Sequence, residues 1–410
     1  MRPAPLLFAL AAAALGMPAM AQFAVPGVSL PQVPPVALPD NPIGRAIGDL
    51  PDIDLTAAQR LLDLRNDRIE RLLRRNRDTV ELDAQGAPAR RGELLLLDPS
   101  PAALAAVQAA GFTVAEREQF GSLGLSVVRL QVPRGTRLAQ AQALLARVAS
   151  GAEIAPDSLH FQTGGAALPA LATSTAAASP IATAVGVIDG APGPSQPVTA
   201  VRGFAQGAPV ASDHGSAVAS LLTGAGVRDV RVADIYGRDP VGGNALALIR
   251  ALDWLTGGGA RVISISLGGP GNSAVGRAIA AAQGKGVVVV AAVGNDGPAA
   301  PPAYPASYPG VVAVTAIDAR GRALIEAGRA LHLDYAAPGA DILARNKGGN
   351  WSRVRGTSFA VPLVAARAAA ALERGNWRAT LDREAEDLGP RGPDPQFGRG
   401  LLCRACARTR

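Results

Sequence analysis

Ser358 lies in Gly356-Thr357-Ser358-Phe359-Ala360-Val361-Pro362, at the start of an apolar run, VPLVAARAAAAL, that reads as a helix. A serine hydroxyl is a weak nucleophile until a base takes its proton. A helix N-terminus favours negative charge developing beside it, because its first N–H groups have no intrahelical acceptor. The same residues would serve as an ordinary helix cap, so the serine's role depends on partners elsewhere. The chain has three histidines, His160, His214 and His332. His160 stands at the edge of a low-complexity stretch and His332 in a polar-flanked strand, and both read as incidental. His214 sits in Asp213-His214-Gly215-Ser216 ahead of AVASLLTGAG, a helix of small apolar residues. The small Gly215 and Ser216 let other backbone approach that imidazole; the plainer reading is a loop histidine. Asp189 ends the run VGVID and Asn295 ends VVVVAAVGN, both where a strand meets a turn. Aspartate and asparagine also start turns for purely local reasons. Taken together, the four supply a nucleophile, a base, an acid to orient the base, and an amide donor.

The elements that must hold them begin at Ile181. Apolar strand-like runs (IATAVGVID, VRVADIY, RVISISL, GVVVVAAVGN, VVAVTAID) alternate with helical runs from about 214, near 243–256 and near 273–285. Strands this apolar, separated by helices, predict an α/β fold, a doubly wound and mostly parallel sheet with helices on both faces. Sites in such folds lie at the carboxyl ends of the strands.

The N-terminal part reads differently. Arg2, an apolar stretch from Leu6 to Leu15, and Ala19-Met20-Ala21 form a secretory leader over 1–21, with cleavage after Ala21. Residues 22–54 are a proline-rich lead-in. Residues 55–77 form an amphipathic helix with Leu61, Leu62, Leu64, Ile69, Leu72 and Leu73 at helical spacing, within a 55–91 helix-and-connector segment. Residues 92–162 follow a β-α-β-β-α-β order, which suggests a small ferredoxin-like α+β unit; Ser100 caps its first helix. Residues 163–180, TGGAALPALATSTAAASP, read as an exposed linker, and 403–410 as a basic tail. Cys403 and Cys406 lie in that tail, where a local disulfide suits an exported chain better than zinc, which needs about four ligands.

Composition excludes several classes. The 410 residues carry a formal charge of +7, almost wholly through arginine, since Lys285 and Lys347 are the only lysines. The basic residues are dispersed and aromatics make up 4%, so no nucleic-acid surface is expected. After the leader, no segment approaches the roughly 18 uninterrupted apolar residues of a membrane span.

VIDG, DHGSAVASLLTG, ISISLGG, AAVGNDG, YPASYPGVVAVTAID, YAAPG and GTSFAVP, in this order over about 181–402, resemble the subtilisin-like serine proteases. The resemblance implies a subtilisin-like catalytic domain over 181–402 and an acyl-enzyme endopeptidase. In it Ser358 is the nucleophile, His214 the general base and then acid, Asp189 the orienting carboxylate and Asn295 the oxyanion donor. It assigns Ser266, Leu267 and Gly268 to pairing with an extended substrate backbone. Ala292 and Gly294 become one wall of the specificity pocket. The ferredoxin-like unit resembles a pro-domain, an intramolecular inhibitor released by self-cleavage between 162 and about 180. The partners implied are unfolded or extended polypeptides, in a secreted or periplasmic location. No cofactor is expected, and no metal, because no loop has calcium-ligand spacing. Two departures stand out. Gly190 occupies a position where the family has Thr or Ser, and Asp189 and His214 are only 25 residues apart. They leave a catalytically silent binding module as an alternative. A serine esterase would carry its nucleophile in G-x-S-x-G with the histidine last in the chain; here Ser358 lies in G-T-S-F-A and the histidine comes first. No G-x-G-x-x-G follows the strand at 181–189 to hold a dinucleotide.

Overall fold

In the computed structural model, residues 55–169, 178–239 and 241–406 are described. The expected leader and lead-in lie outside the described residues, as do 170–177 of the expected linker and 407–410 of the tail.

The first element is helix α1 (Leu55–Arg75), with one partly buried stripe through Ala57, Ala58, Leu61, Leu62, Arg65, Ile69, Leu72 and Leu73. Leu64, expected on the apolar face, is 54% exposed. A small α+β unit follows, with strands β1 (Val80–Leu82), β2 (Pro88–Leu97), β3 (Thr113–Phe120), β4 (Leu125–Gln131) and β5 (Glu153–Ser158) and helices α2 (Pro101–Ala109) and α3 (Leu138–Val148). Its antiparallel order β5-β2-β4-β3 is that of a ferredoxin-like sheet, with β1 added at the start of β2. Ser100 accepts from Ala103 N at the start of α2.

Period-two alternation lets that sheet be apolar on both faces. Leu94, Leu96, Val128 and Leu130 pack under α2 and α3. Leu95, Leu97, Phe120, Leu125 and Val127 point the other way and join the core of the larger domain.

The larger domain is built on seven parallel strands in the order β15-β14-β13-β11-β8-β10-β9. These are β8 (Val185–Asp189), β9 (Ala200–Gly203), β10 (Val230–Asp234), β11 (Val262–Ile265), β13 (Val288–Ala292), β14 (Val312–Ile317) and β15 (Tyr335–Pro338). Helices α4 (Asp213–Gly224) and α7 (Thr357–Leu372) cover one face; α5 (Ala245–Gly257) and α6 (Ser273–Gly284) cover the other. A short α8 (Trp377–Glu384) ends the helical order. The doubly wound arrangement read from the apolar runs is the one found. Cys403 and Cys406 are joined by a disulfide. No helix among the described residues is long and apolar enough to cross a membrane.

One expectation needs correction. Residues 165–169 form a paired strand rather than a linker. Strand β6 (Phe161–Gln162) pairs antiparallel with β12 (Leu267–Gly268). Strand β7 (Gly165–Pro169) joins β17 (Trp351–Arg355), which itself pairs with β16 (Ala340–Arg345). Small residues without periodicity carry no strand signal of their own; here edge strands of the larger domain satisfy their backbone groups.

Candidate active site

Asp189 is the last residue of β8 and is fully buried. A buried carboxylate needs donors for its lone pairs. Three groups provide them: Gly190 N at 2.6 Å, Gln162 Nε2 at 2.8 Å, and His214 Nδ1 at 2.8 Å from Oδ2. His214 occupies the first turn of α4, whose cap Ser212 accepts from Gly215 N. A β-carbon on Gly215 would lie 2.0 Å from the Gly190 carbonyl, so only glycine lets the two segments meet. A β-carbon on Gly190 would in turn lie 2.5 Å from Ser212 Oγ. The cap hydroxyl thus fills the space that a Thr or Ser at 190 would need, which accounts for the departure noted in the sequence.

With Nδ1 on Asp189, the other imidazole nitrogen, Nε2, is left buried and without a partner. The ring packs against Phe359, with centroids 5.3 Å apart. A neutral imidazole oriented through Nδ1–H presents Nε2 as an acceptor, the form a general base requires.

Ser358 is the second residue of α7 and is fully buried. Gly356, at φ +139°, turns the chain into the helix. The Ser358 hydroxyl donates to the Ser266 carbonyl at 3.0 Å and lies 2.6 Å from the Thr163 hydroxyl. Its bond to His214 Nε2 is not made in this arrangement. Ser266 Oγ donates back to the Ser358 carbonyl at 2.8 Å, fixing the helix start to the end of β11. Asn295 accepts from Thr357 N through Oδ1, which turns its Nδ2 toward the cleft; that amide is buried and unpartnered. A β-carbon on Gly356 would lie 2.7 Å from Asn295 Nδ2, 2.8 Å from Gly164 Cα and 3.4 Å from the Thr163 carbonyl. A bare backbone at 356 therefore lets an amide donor and a peptide carbonyl gather beside Ser358.

The cleft contains the chain's own residues. Leu267 pairs with Gln162 and Gly268 with Phe161, and Thr163 N donates to the Ser266 carbonyl at 3.4 Å. The Thr163 methyl group lies against Gly268, which in turn neighbours Gly294 and Ala303: a β-carbon on Gly268 would lie 3.0 Å from Thr163 Cγ2, 3.9 Å from Gly294 Cα and 4.0 Å from Ala303 Cβ. Of the expected pocket wall, Ala292 ends β13 with its side chain in the core cluster beneath α7. The structure thus gathers Asp189, His214, Asn295, Ser358, Ser266, Leu267, Gly268 and Gly294 around one cleft.

Gln162 and Thr163 were missed by sequence reasoning, and His160 was set aside. His160 is fully buried, its ring against Gly269 and neither ring nitrogen hydrogen-bonded. Burial pushes its imidazole down to about 4. Three residues earlier, Asp157 accepts from Leu246 N at the start of α5. Burial outweighs that hydrogen bond and pushes its carboxyl up to about 7. The available signal was the position of 157–163 at and directly after the end of the last strand of the α+β unit. His332 donates from Nε2 to the Val311 carbonyl at 2.8 Å, away from these groups.

Comparison with known proteins agrees with this geometry. The subtilase family model matches residues 202–400. Subtilisin DY of Bacillus licheniformis is 33% identical over 170 residues, which cover 39% of this chain and 61% of that protein. Thermitase of Thermoactinomyces vulgaris is 35% identical over 173 residues, covering 41% of this chain and 60% of thermitase. The chain thus spans about three fifths of the length of these curated relatives. Among solved structures, fervidolysin from Fervidobacterium pennivorans, a keratinolytic enzyme related to subtilisin, superposes with a TM-score of 0.63 at 20% identity. The match covers 78% of this chain and 61% of that one, and it shows a shared fold. Residues 202–400 thus match the subtilase family, and the same region is similar to subtilisin-like serine proteases.

Proposed function

We propose that the chain is an exported serine endopeptidase, made as a zymogen that cuts itself at Thr163–Gly164. The single observation that carries this reading is the seating of Thr163 on Ser358, beside an oriented His214 whose Nε2 is buried and unpartnered.

A rotation of the Ser358 side chain brings its hydroxyl from Ser266 and Thr163 to His214 Nε2. His214 takes the proton as Oγ attacks the Thr163 carbonyl, and Asp189 stabilises the resulting imidazolium. The oxyanion forms between Asn295 Nδ2 and the Ser358 N–H, which has no intrahelical acceptor so near the helix start. Collapse breaks the Thr163–Gly164 bond. His214 passes its proton to the Gly164 nitrogen, and Thr163 remains as an ester on Ser358. Water, deprotonated by His214, then releases the Thr163 carboxylate and restores the hydroxyl.

The antiparallel pairing of 161–162 with 267–268 supports extended polypeptide as the substrate class, since main-chain pairing needs a free backbone. The α+β unit, joined to α5 and α6 by a shared core, is then the pro-domain and holds the segment 159–163 in the cleft as an inhibitor. The leader over 1–21 supports export.

The test is labelling with a fluorophosphonate probe together with N-terminal sequencing. Wild type should label and yield a chain beginning at Gly164; Ser358→Ala should do neither. A wild type that never labels, cut or uncut, refutes the enzyme reading in favour of a silent binding module. A chain that labels but begins elsewhere refutes the assigned bond alone.

A further inference from the structure

Helix α1 lies outside the α+β unit, yet it reaches both the loop that follows Asn295 and the segment that precedes the Thr163–Gly164 bond. Near its start, Ala57 and Ala58 line a cavity of ≈ 540 Å³ with Val293, Leu324, Leu331 and Pro395. One turn on, Leu61 sits directly over Gly297; a β-carbon there would lie 2.8 Å from Leu61 Cβ. Arg68 pairs with Asp296 at 2.8 Å, and Arg65 reaches the same carboxylate at 3.4 Å. Asp296 and Gly297 follow Asn295 without a break, so α1 bears on the loop that carries the oxyanion amide. At the far end, Leu72 and Leu73 pack with Val80, Leu159, Val241 and Phe161. Leu159 and Phe161 precede the proposed cut, on the acyl side.

We propose that α1 is a strap across the cleft, a second inhibitory element that holds the enzyme shut after its own peptide bond is cut. The inference rests on the endopeptidase reading above. None of the α1 contacts depends on the 163–164 bond, so scission leaves both anchors in place. The apolar seat under Leu61, Ala57 and Ala58 holds the helix down, and the two arginines set its register on Asp296. These ion pairs are partly exposed and therefore screened by salt. Opening of the cleft is thus a separate, salt-sensitive step after the cut.

The experiment follows the purified full-length protein with two readouts, appearance of the Gly164 N-terminus and hydrolysis of casein. Wild type should cut first and gain casein activity after a lag. Arg65→Ala with Arg68→Ala should shorten the lag on the order of fivefold while cutting at the wild-type rate. About 0.5 M NaCl should shorten the wild-type lag and leave that of the double variant unchanged. Leu61→Ala, which removes the apolar anchor and keeps both charges, should shorten the lag and retain its salt response. Casein activity that rises together with the cut in wild type overturns the strap, as does an unchanged lag in both variants. Absence of any cut and of fluorophosphonate labelling in wild type overturns the endopeptidase reading and the strap with it.

Discussion

The Thr163 hydroxyl lies 2.6 Å from the Ser358 hydroxyl, across 195 residues of sequence. The Thr163 methyl group lies against Gly268, so close that a β-carbon on Gly268 would be 3.0 Å from Thr163 Cγ2. A large side chain at 163 would press on the Gly268 backbone. Thr163→Trp should slow self-cleavage by about 10- to 100-fold, the effect of overpacking by about 1–3 kcal/mol. Ala303→Gly should recover part of the rate. The time course of the Gly164 N-terminus checks both, and an unhindered Thr163→Trp protein would refute the assigned contact.

Ser358→Ala and His214→Ala should abolish self-cleavage and casein hydrolysis; Ser358→Ala should keep the melting temperature, whereas His214→Ala should lower it, because it strips the buried Asp189 Oδ2 of its donor. Asn295→Ala should cut turnover by about 10²–10³, the magnitude established for loss of this donor in a subtilisin. It also removes the acceptor for Thr357 N, so its melting temperature should fall where that of Ser358→Ala does not. Steady-state kinetics beside thermal unfolding separates the two effects. A turnover change below tenfold would exclude Asn295 as an oxyanion donor.

Asp157 and His160 should give opposite pH responses. The Asp157 carboxyl is raised from 3.8 to about 7. Its contribution to stability is whole below pH 3.8 and is lost as pH rises through about 7. The His160 imidazole is lowered from 6.5 to about 4. Its contribution is whole above pH 6.5 and is lost as pH falls through about 4. Over the shared interval the two slopes oppose each other, each about 1.4 kcal/mol per pH unit. In the uncleavable Ser358→Ala background, Asp157→Asn should therefore lose stability mainly on acidification below 6.5. His160→Gln should lose it mainly as pH rises from about 4 to 7. Urea midpoints across pH check this, and profiles parallel to the Ser358→Ala parent would refute the compensation.

Gly190 and Ser212 should be energetically coupled. Gly190→Ala pushes a methyl group into Ser212 Oγ and should cost about 1–3 kcal/mol. Ser212→Ala removes the α4 cap at about 1 kcal/mol. The double substitution should cost less than the sum, because the second change relieves the clash made by the first. Additive unfolding energies would show that the close approach does not matter.

Asp189, His214, Asn295 and Ser358 were legible because each stands where an apolar run ends or a helix begins, and the chemistry of each type at such a boundary is restricted. The parallel sheet was legible for the same reason: valine-rich runs between helices have few other solutions. Gln162 and Thr163 were not. TGGAALPAL has no periodicity, and its conformation is imposed by Leu267 and Gly268 on one side and by β17 on the other. His160 looked incidental because its burial depends on Gly269, far along the chain. The amphipathic pattern of α1 announced a helix with something beneath it, but Asp296 lies 228 residues beyond Arg68, and no local pattern names a partner so distant.

Strand β7 would give the proposed self-cleavage an unusual second half. Gly164 begins the segment that, from Gly165, is laced into the sheet with β17. When the peptide bond breaks, the new amine is therefore held beside the ester it has just left. An amine so confined competes with water at a very high effective concentration, and its attack regenerates the starting bond. Acylation of Ser358 in the proposed reaction would then run as a repeated forward and backward exchange within the intact fold, and net scission would wait for β7 to peel away and let water take the place of the amine.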